Sequence, residues 1–224
     1  MEFTLLWAAL TAAVLGWLGT RIWPEGLPDR PADRLLGAGG IGLLVGRITA
    51  MIAQGTNPLL HPGDILVVRG GVNTAGATIG ALVAYLWSVR GELRYLDAIT
   101  PTALLALAGW HGGCLWRDAC LGTTSNLPWA FSEPGSVVSR HPVELYVALA
   151  LMLAAWAVGR LSLTPLLRSS LGLAAAGMVR LLTEPLRLSL TGGETGWYIA
   201  AVTVGLVAAL VGPRYLTSRA IPVT

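Results

Sequence analysis

Seven apolar stretches, each about as long as a helix that crosses hydrocarbon, run through this chain with only short polar connectors between them. A bilayer core is ~30 Å thick, so a spanning helix takes about 20 mostly apolar residues. Residues 4–20, 35–54, 72–89, 96–112, 142–158, 169–186 and 196–212 approach or meet that length. Of the 224 residues only 12% are charged, about half the ~25% with which a soluble domain covers its surface. The pattern predicts an all-α membrane protein, a bundle of about seven transmembrane helices. It forms a single polytopic domain over residues 1–224, with a short extracytoplasmic loop region at 113–141. The first twenty residues lack a positive leader region and a small-residue cleavage site, so they read as the first span.

All fifteen basic residues are arginine, and the net charge is +3. These charges stand singly between apolar runs, with no basic stripe or aromatic platform, which excludes a nucleic-acid partner as the reading. They also orient the chain. With the N-terminus outside and the C-terminus inside, Arg21, Arg30, Arg34, Arg90, Arg94, Arg160, Arg168, Arg214 and Arg219 fall on the cytoplasmic side, as the positive-inside bias requires. Arg69, Arg117, Arg140 and Arg187 fall on the outer side, against the bias, and are candidates for binding something anionic there.

Arg47 and Arg180 lie inside otherwise apolar stretches. A guanidinium at that depth costs at least ~2.5–3.5 kcal/mol unless it faces a partner or a wet cavity. A structural Arg–Glu pair is one solution. The other is a polar cavity holding phosphate, which guanidinium binds bidentately without ever losing its charge. Residues 178–187 (MVRLLTEPLR) favour the second, because Arg180, Glu184 and Arg187 follow i, i+4, i+7 spacing and share one helix face. One acid between two bases leaves a net positive stripe, although Pro185 bends its last turn. Residues 139–146 (SRHPVELY) open another span, with Pro142 in the first turn, where a missing N–H costs nothing. Arg140, His141, Glu144 and Tyr146 form either an interfacial belt or part of a headgroup site. Residues 109–122 (GWHGGCLWRDACLG) combine glycines with His111, Arg117, Asp118 and two cysteines. This segment is open to three readings: a packed turn, a Cys114–Cys120 disulfide, or a Cys/His metal site.

Taken together and in order, residues 45–48 (VGRI), 68–76 (VRGGVNTAG), 112–129 (GGCLWRDACLGTTSNLPW), 140–146 (RHPVELY) and 179–187 (VRLLTEPLR) resemble the prolipoprotein diacylglyceryl transferases. The RHP–x–E–LY and R–x3–E–x2–R elements carry most of the specificity. The resemblance implies a seven-span enzyme of the bacterial cytoplasmic (inner) membrane that needs no cofactor and no metal. Its donor is phosphatidylglycerol, or a similar anionic phospholipid, and its acceptor is the lipobox cysteine of a lipoprotein precursor. It further implies His141 and Arg180 as catalytic residues, and His111 joins them as a catalytic candidate of this chain's own. Arg47, Asn73, Arg140, Glu144, Tyr146, Glu184 and Arg187 become substrate-binding residues, with Arg180 and Arg187 on the lipid phosphate and Glu184 orienting them.

The chain departs from the family pattern at several positions. Ala75 replaces a histidine, His111 an arginine, Cys114 an asparagine and Ala119 a glutamate. His111 is therefore the candidate for either the missing base or the missing cation, since imidazole changes charge near neutral pH. The alternatives are a lipid transferase with a different acceptor and a non-catalytic phospholipid-binding protein on the same scaffold. A thiol-redox protein using the two cysteines is a third class.

Overall fold

The computed structural model describes residues 4–66, 71–116, 120–132, 135–162, 164, 166–188 and 194–218. Arg69, Arg117, Asp118, Ala119 and Arg219, singled out above, lie outside the described residues. The rest is almost entirely helical. In chain order the helices are α1 (Thr4–Ile22), α2 (Pro31–Ala53), α3 (Gly63–Leu66), α4 (Thr74–Ser88), α5 (Arg94–Gly112), α6 (Val143–Gly159), α7 (Leu167–Thr183) and α8 (Thr195–Ser218). Two short strands, β1 (Phe131–Ser132) and β2 (Ser139–Arg140), pair antiparallel between α5 and α6.

Packing divides the chain into two compact units, Met1–Leu27 with Arg94–Thr224, and Pro28–Leu93. In the smaller unit α2 and α4 run antiparallel at close quarters. Gly42 and Gly46 of α2 lie against Ala77 and Ala81, while Gly76 and Gly80 of α4 lie against Thr49 and Val45. Any side chain at Gly42 would sit 2.7 Å from the Ala77 carbonyl oxygen, so both helices need a small-x3-small pattern for their backbones to approach. Arg47, buried in α2, donates through Nε to the Asp64 carbonyl (3.0 Å) and through Nη1 to the Gly71 carbonyl (3.1 Å). Asn73 caps α4, its Oδ1 accepting the Gly76 N–H at 2.8 Å.

In the larger unit the helices pack in succession, α1 on α5, α5 on α6, α6 on α7 and α7 on α8. Its apolar core comes from α5 and α6: Leu104, Leu105, Ala108, Val147, Leu151, Ala155 and Val158. Buried Asp97 of α5 holds the start of α7. It accepts the Leu166 N–H at 2.5 Å, and through Oδ1 the Ser169 N–H at 2.8 Å and hydroxyl at 2.9 Å. Hydrogen bonds to a charged acceptor contribute about 1.5–3 kcal/mol each, and they share one side chain. Asp97→Ala is therefore expected to cost about 3 kcal/mol, read as an earlier thermal unfolding midpoint in detergent. Asp97→Asn, which keeps an acceptor, should recover part of it.

The distribution of polarity is inverted relative to a soluble protein. Large apolar side chains face outward on α1 (Leu6, Trp7, Val14, Trp17), α6 (Leu149, Leu153, Trp156) and α8 (Val204, Val207, Leu210), while Asp97, Glu144, Arg168 and Arg180 are each less than 10% exposed. Soluble monomers rarely expose apolar surface on this scale, and charges turned inward are the habit of an all-α membrane protein. Among the described residues, two helices are by themselves long and apolar enough to cross a bilayer, Pro31–Ala53 and Thr195–Gly212. Helix α7, with 17 residues, is also short, and both α5 and α7 carry inward charges, Asp97, Arg168 and Arg180, which lower their mean apolarity without facing outward.

Candidate functional site

Three helix ends of the larger unit meet at one buried carboxylate. Glu144 stands in the first turn of α6, just after Pro142, where the positive end of the helix dipole favours an acid. His111 stands in the last turn of α5 and Arg180 in the last turn of α7, where the negative end favours a base or cation. The contacts follow that complementarity. His111 Nδ1 lies 2.5 Å from Glu144 Oε2, Arg180 Nη1 3.6 Å from the same oxygen, and Arg187 Nη2 3.3 Å from Glu144 Oε1. An ionised carboxylate only accepts, so the proton between His111 and Glu144 sits on Nδ1.

Arg187 reaches this point because α7 stops early. Pro185 turns residues Glu184–Leu186 into a 3₁₀ turn, and Arg187 follows with extended backbone. The shared helix face expected for Arg180, Glu184 and Arg187 thus holds through Glu184, whose N–H still donates to the Arg180 carbonyl, and breaks at Arg187. Arg187 still meets Glu184, at 3.5 Å, but the carboxylate paired with Arg180 is Glu144. With two acids beside the two arginines, the net positive stripe expected from the sequence becomes a balanced cluster. The balance leaves groups unmet: Arg180 Nη1 and both oxygens of Glu184 are buried without a hydrogen bond to any described residue. Arg180 Nη2 donates to the Tyr198 hydroxyl at 3.1 Å, with its guanidinium 5.3 Å from that ring.

A backbone seam fixes the rim. The Thr123 N–H donates to the Leu186 carbonyl and the Gly122 N–H to the His141 carbonyl, both at 2.8 Å, and the His141 N–H returns to the Thr123 carbonyl at 3.0 Å. A Cβ at Gly122 would collide with the Leu186 carbonyl and with Val143. Gly122→Ala is therefore expected to displace Leu186, and Arg187 after it, at a cost of about 1–3 kcal/mol for the overpacking. Gly37→Ala, at a position with open space around it, is the neutral control, and both are read as the thermal unfolding midpoint in detergent.

The remaining sequence candidates make other contacts. His141 and Tyr146 form a second cluster, His141 Nδ1 being 3.4 Å from the Tyr146 hydroxyl, which also accepts from Trp129 Nε1 at 2.9 Å. Tyr146 lies two residues after Glu144, about 200° around the helix, so it projects from another side of α6. Arg140 donates to the Gly122 carbonyl at 3.3 Å. Arg47 and Asn73 belong to the smaller unit, where the hydrogen bonds described above fasten a loop and cap a helix. Cys114 and Cys120 form a disulfide with Cα atoms 5.9 Å apart, which decides among the three readings left open for that segment. Tyr198, which meets Arg180, and Trp129, which meets Tyr146, were missed, because each reaches its partner from another part of the chain.

Residues 4–216 match the family model for prolipoprotein diacylglyceryl transferase. The chain belongs to that family. Curated relatives are enzymes named phosphatidylglycerol–prolipoprotein diacylglyceryl transferase. The one from Chlamydia trachomatis is 28% identical over 129 residues, 52% of this chain and 47% of that protein. The one from Glaesserella parasuis is 29% identical over 148 residues, 59% and 54% respectively, and that of Gluconobacter oxydans 30% over 142 residues, 58% and 51%. The chain spans about half the length of these relatives. Within this prolipoprotein diacylglyceryl transferase family member, the matched region takes in every residue of the Glu144 cluster.

Proposed function

We propose that this chain is a multi-pass enzyme of the bacterial cytoplasmic membrane, crossing it seven times with its N-terminus outside. Its reaction moves the diacylglyceryl group of phosphatidylglycerol to the lipobox cysteine thiol of a lipoprotein precursor. Family membership and the relatives' names supply the reaction class. The observation that carries it to this chain is the pair Arg180 and Arg187 converging on Glu144, with Arg180 Nη1 buried and lacking a hydrogen bond.

The chemistry follows from charge. Phosphatidylglycerol brings one phosphodiester charge, and the departing glycerol phosphate carries more, because the broken C–O bond leaves its electron pair on a phosphate oxygen. Guanidinium groups already fixed beside that oxygen stabilise the transition state more than the ground state. Arg187 is the more accessible of the two, its side chain 35% exposed, and suits first contact with a headgroup. Arg180 is anchored by Tyr198 on one nitrogen and presents the other. The two glutamates compensate the two arginines, which permits the cluster to exist away from water.

The test is lipid binding to purified protein in detergent. Phosphatidylglycerol should bind in preference to the zwitterionic phosphatidylethanolamine, and the preference should vanish in Arg180→Ala. Equal binding of both lipids contradicts the headgroup assignment. Selective binding without transfer assigns the chain to the non-catalytic phospholipid-binding alternative.

A further inference from the structure

We propose that His111, oriented by Glu144, takes the proton from the acceptor thiol. This inference rests on the thiol-transfer reading above and adds to it the group that activates the nucleophile. A thiol attacks carbon far less readily than a thiolate, so a positioned base is required. The chain has three histidines. His61 lies just before α3, in the smaller unit, and among the described residues has no hydrogen bond to Glu144 or to either arginine. His141 has its Nδ1 at the Tyr146 hydroxyl and lies in the second cluster. His111 alone shares a partner with both arginines, since Glu144 contacts all three side chains.

The geometry also selects the working nitrogen. With Nδ1–H donated to Glu144 at 2.5 Å, the lone pair of the neutral ring lies on Nε2, and no hydrogen bond from a described residue occupies that atom. Glu144 holds the ring and compensates the imidazolium once the proton arrives, so it is a positioning residue. Neither glutamate is a competing base, because each is paired with arginine. The step balances. The thiol proton passes to Nε2, sulfur bonds to the glyceryl carbon, the carbon–oxygen bond to phosphate breaks, and glycerol phosphate leaves with the electron pair. The imidazolium then gives its proton to the leaving phosphate or to water.

The test compares two lipobox peptides, one with cysteine and one with selenocysteine, whose selenol is ionised at neutral pH and has no proton to lose. His111→Gln should bind phosphatidylglycerol like the unmodified protein and transfer to the cysteine peptide about 100-fold more slowly. On the selenocysteine peptide its rate should stay within about 3-fold of the unmodified protein, since base catalysis no longer contributes there. Glu144→Gln, which still accepts from Nδ1 but carries no charge, should show the same rescue from a loss of about 10-fold. His111→Asn, which likewise lacks a base, serves as the probe if His111→Gln does not fold. An equal loss on both peptides, or no loss on cysteine, overturns the assignment of His111 while leaving the transferase reading in place. Unmodified protein that transfers to neither peptide removes both.

Discussion

Arg180→Ala is expected to abolish selective phosphatidylglycerol binding, and transfer with it, while leaving the protein folded. The two halves of this outcome have different causes. Removing one member of a buried, hydrogen-bonded charge pair costs a bound anion about 2–5 kcal/mol, roughly 30- to 5,000-fold in affinity. Glu144, however, keeps His111 at 2.5 Å and Arg187 at 3.3 Å, so its carboxylate is not left without partners. Arg180→Lys separates charge from shape. Lysine restores the charge but not the planar fork, and it cannot keep Tyr198 while presenting a second nitrogen to phosphate. Its affinity should fall between those of the parent and the alanine variant. Lipid titration of the three proteins in detergent measures the order, and an unfolded Arg180→Ala protein would contradict the predicted division.

Glu144→Ala should do the opposite and damage the fold first. It leaves Arg180, buried to 9% exposure, without its paired carboxylate, and breaking a buried pair by removing one partner costs about 3–5 kcal/mol. That is a large share of the whole stability of a domain, ~5–15 kcal/mol. The thermal midpoint in detergent should fall more for this variant than for any other single change at the cluster. Glu184→Ala should be milder, since Glu184 pairs only with the partly exposed Arg187. Combining Glu144→Ala with Arg180→Leu should regain part of the loss, because removing both partners of a buried pair approaches neutrality. A double variant as unstable as the sum of its parts would mean that Glu144 holds the fold by packing and not by charge.

Much of the helical layout was legible because it depends on local apolar runs. Residues 4–20 anticipated α1 (Thr4–Ile22), and 142–158 anticipated α6 (Val143–Gly159), each within two residues. The site was legible only where spacing along one element decides it. Arg180, Glu184 and Arg187 were found together from the R–x3–E–x2–R pattern, yet their pairing was misjudged, because Pro185 ends the helix and α6 brings a second acid. The contact between His111 and Glu144 joins residues 33 positions apart and exists only because the end of α5 packs beside the start of α6. No periodicity within either segment encodes it. Tyr198 escaped for the same reason, being an ordinary tyrosine in the first turn of α8. Arg47 and Asn73 show how one residue type answers to two readings. A buried arginine and a polar residue before an apolar helix invite a binding role, and backbone carbonyls and an exposed helix start ask for the same groups.

The central claim is that the arginine–glutamate–histidine cluster serves transfer of a diacylglyceryl group to a thiol. The most direct measurement is mass spectrometry of a lipobox peptide incubated with purified protein and phosphatidylglycerol, beside Arg180→Ala. The account predicts a diacylglyceryl thioether on the peptide cysteine and one glycerol phosphate released for each, both missing with Arg180→Ala. A peptide that stays unmodified while phosphatidylglycerol binds selectively would contradict it, and so would modification that persists without Arg180.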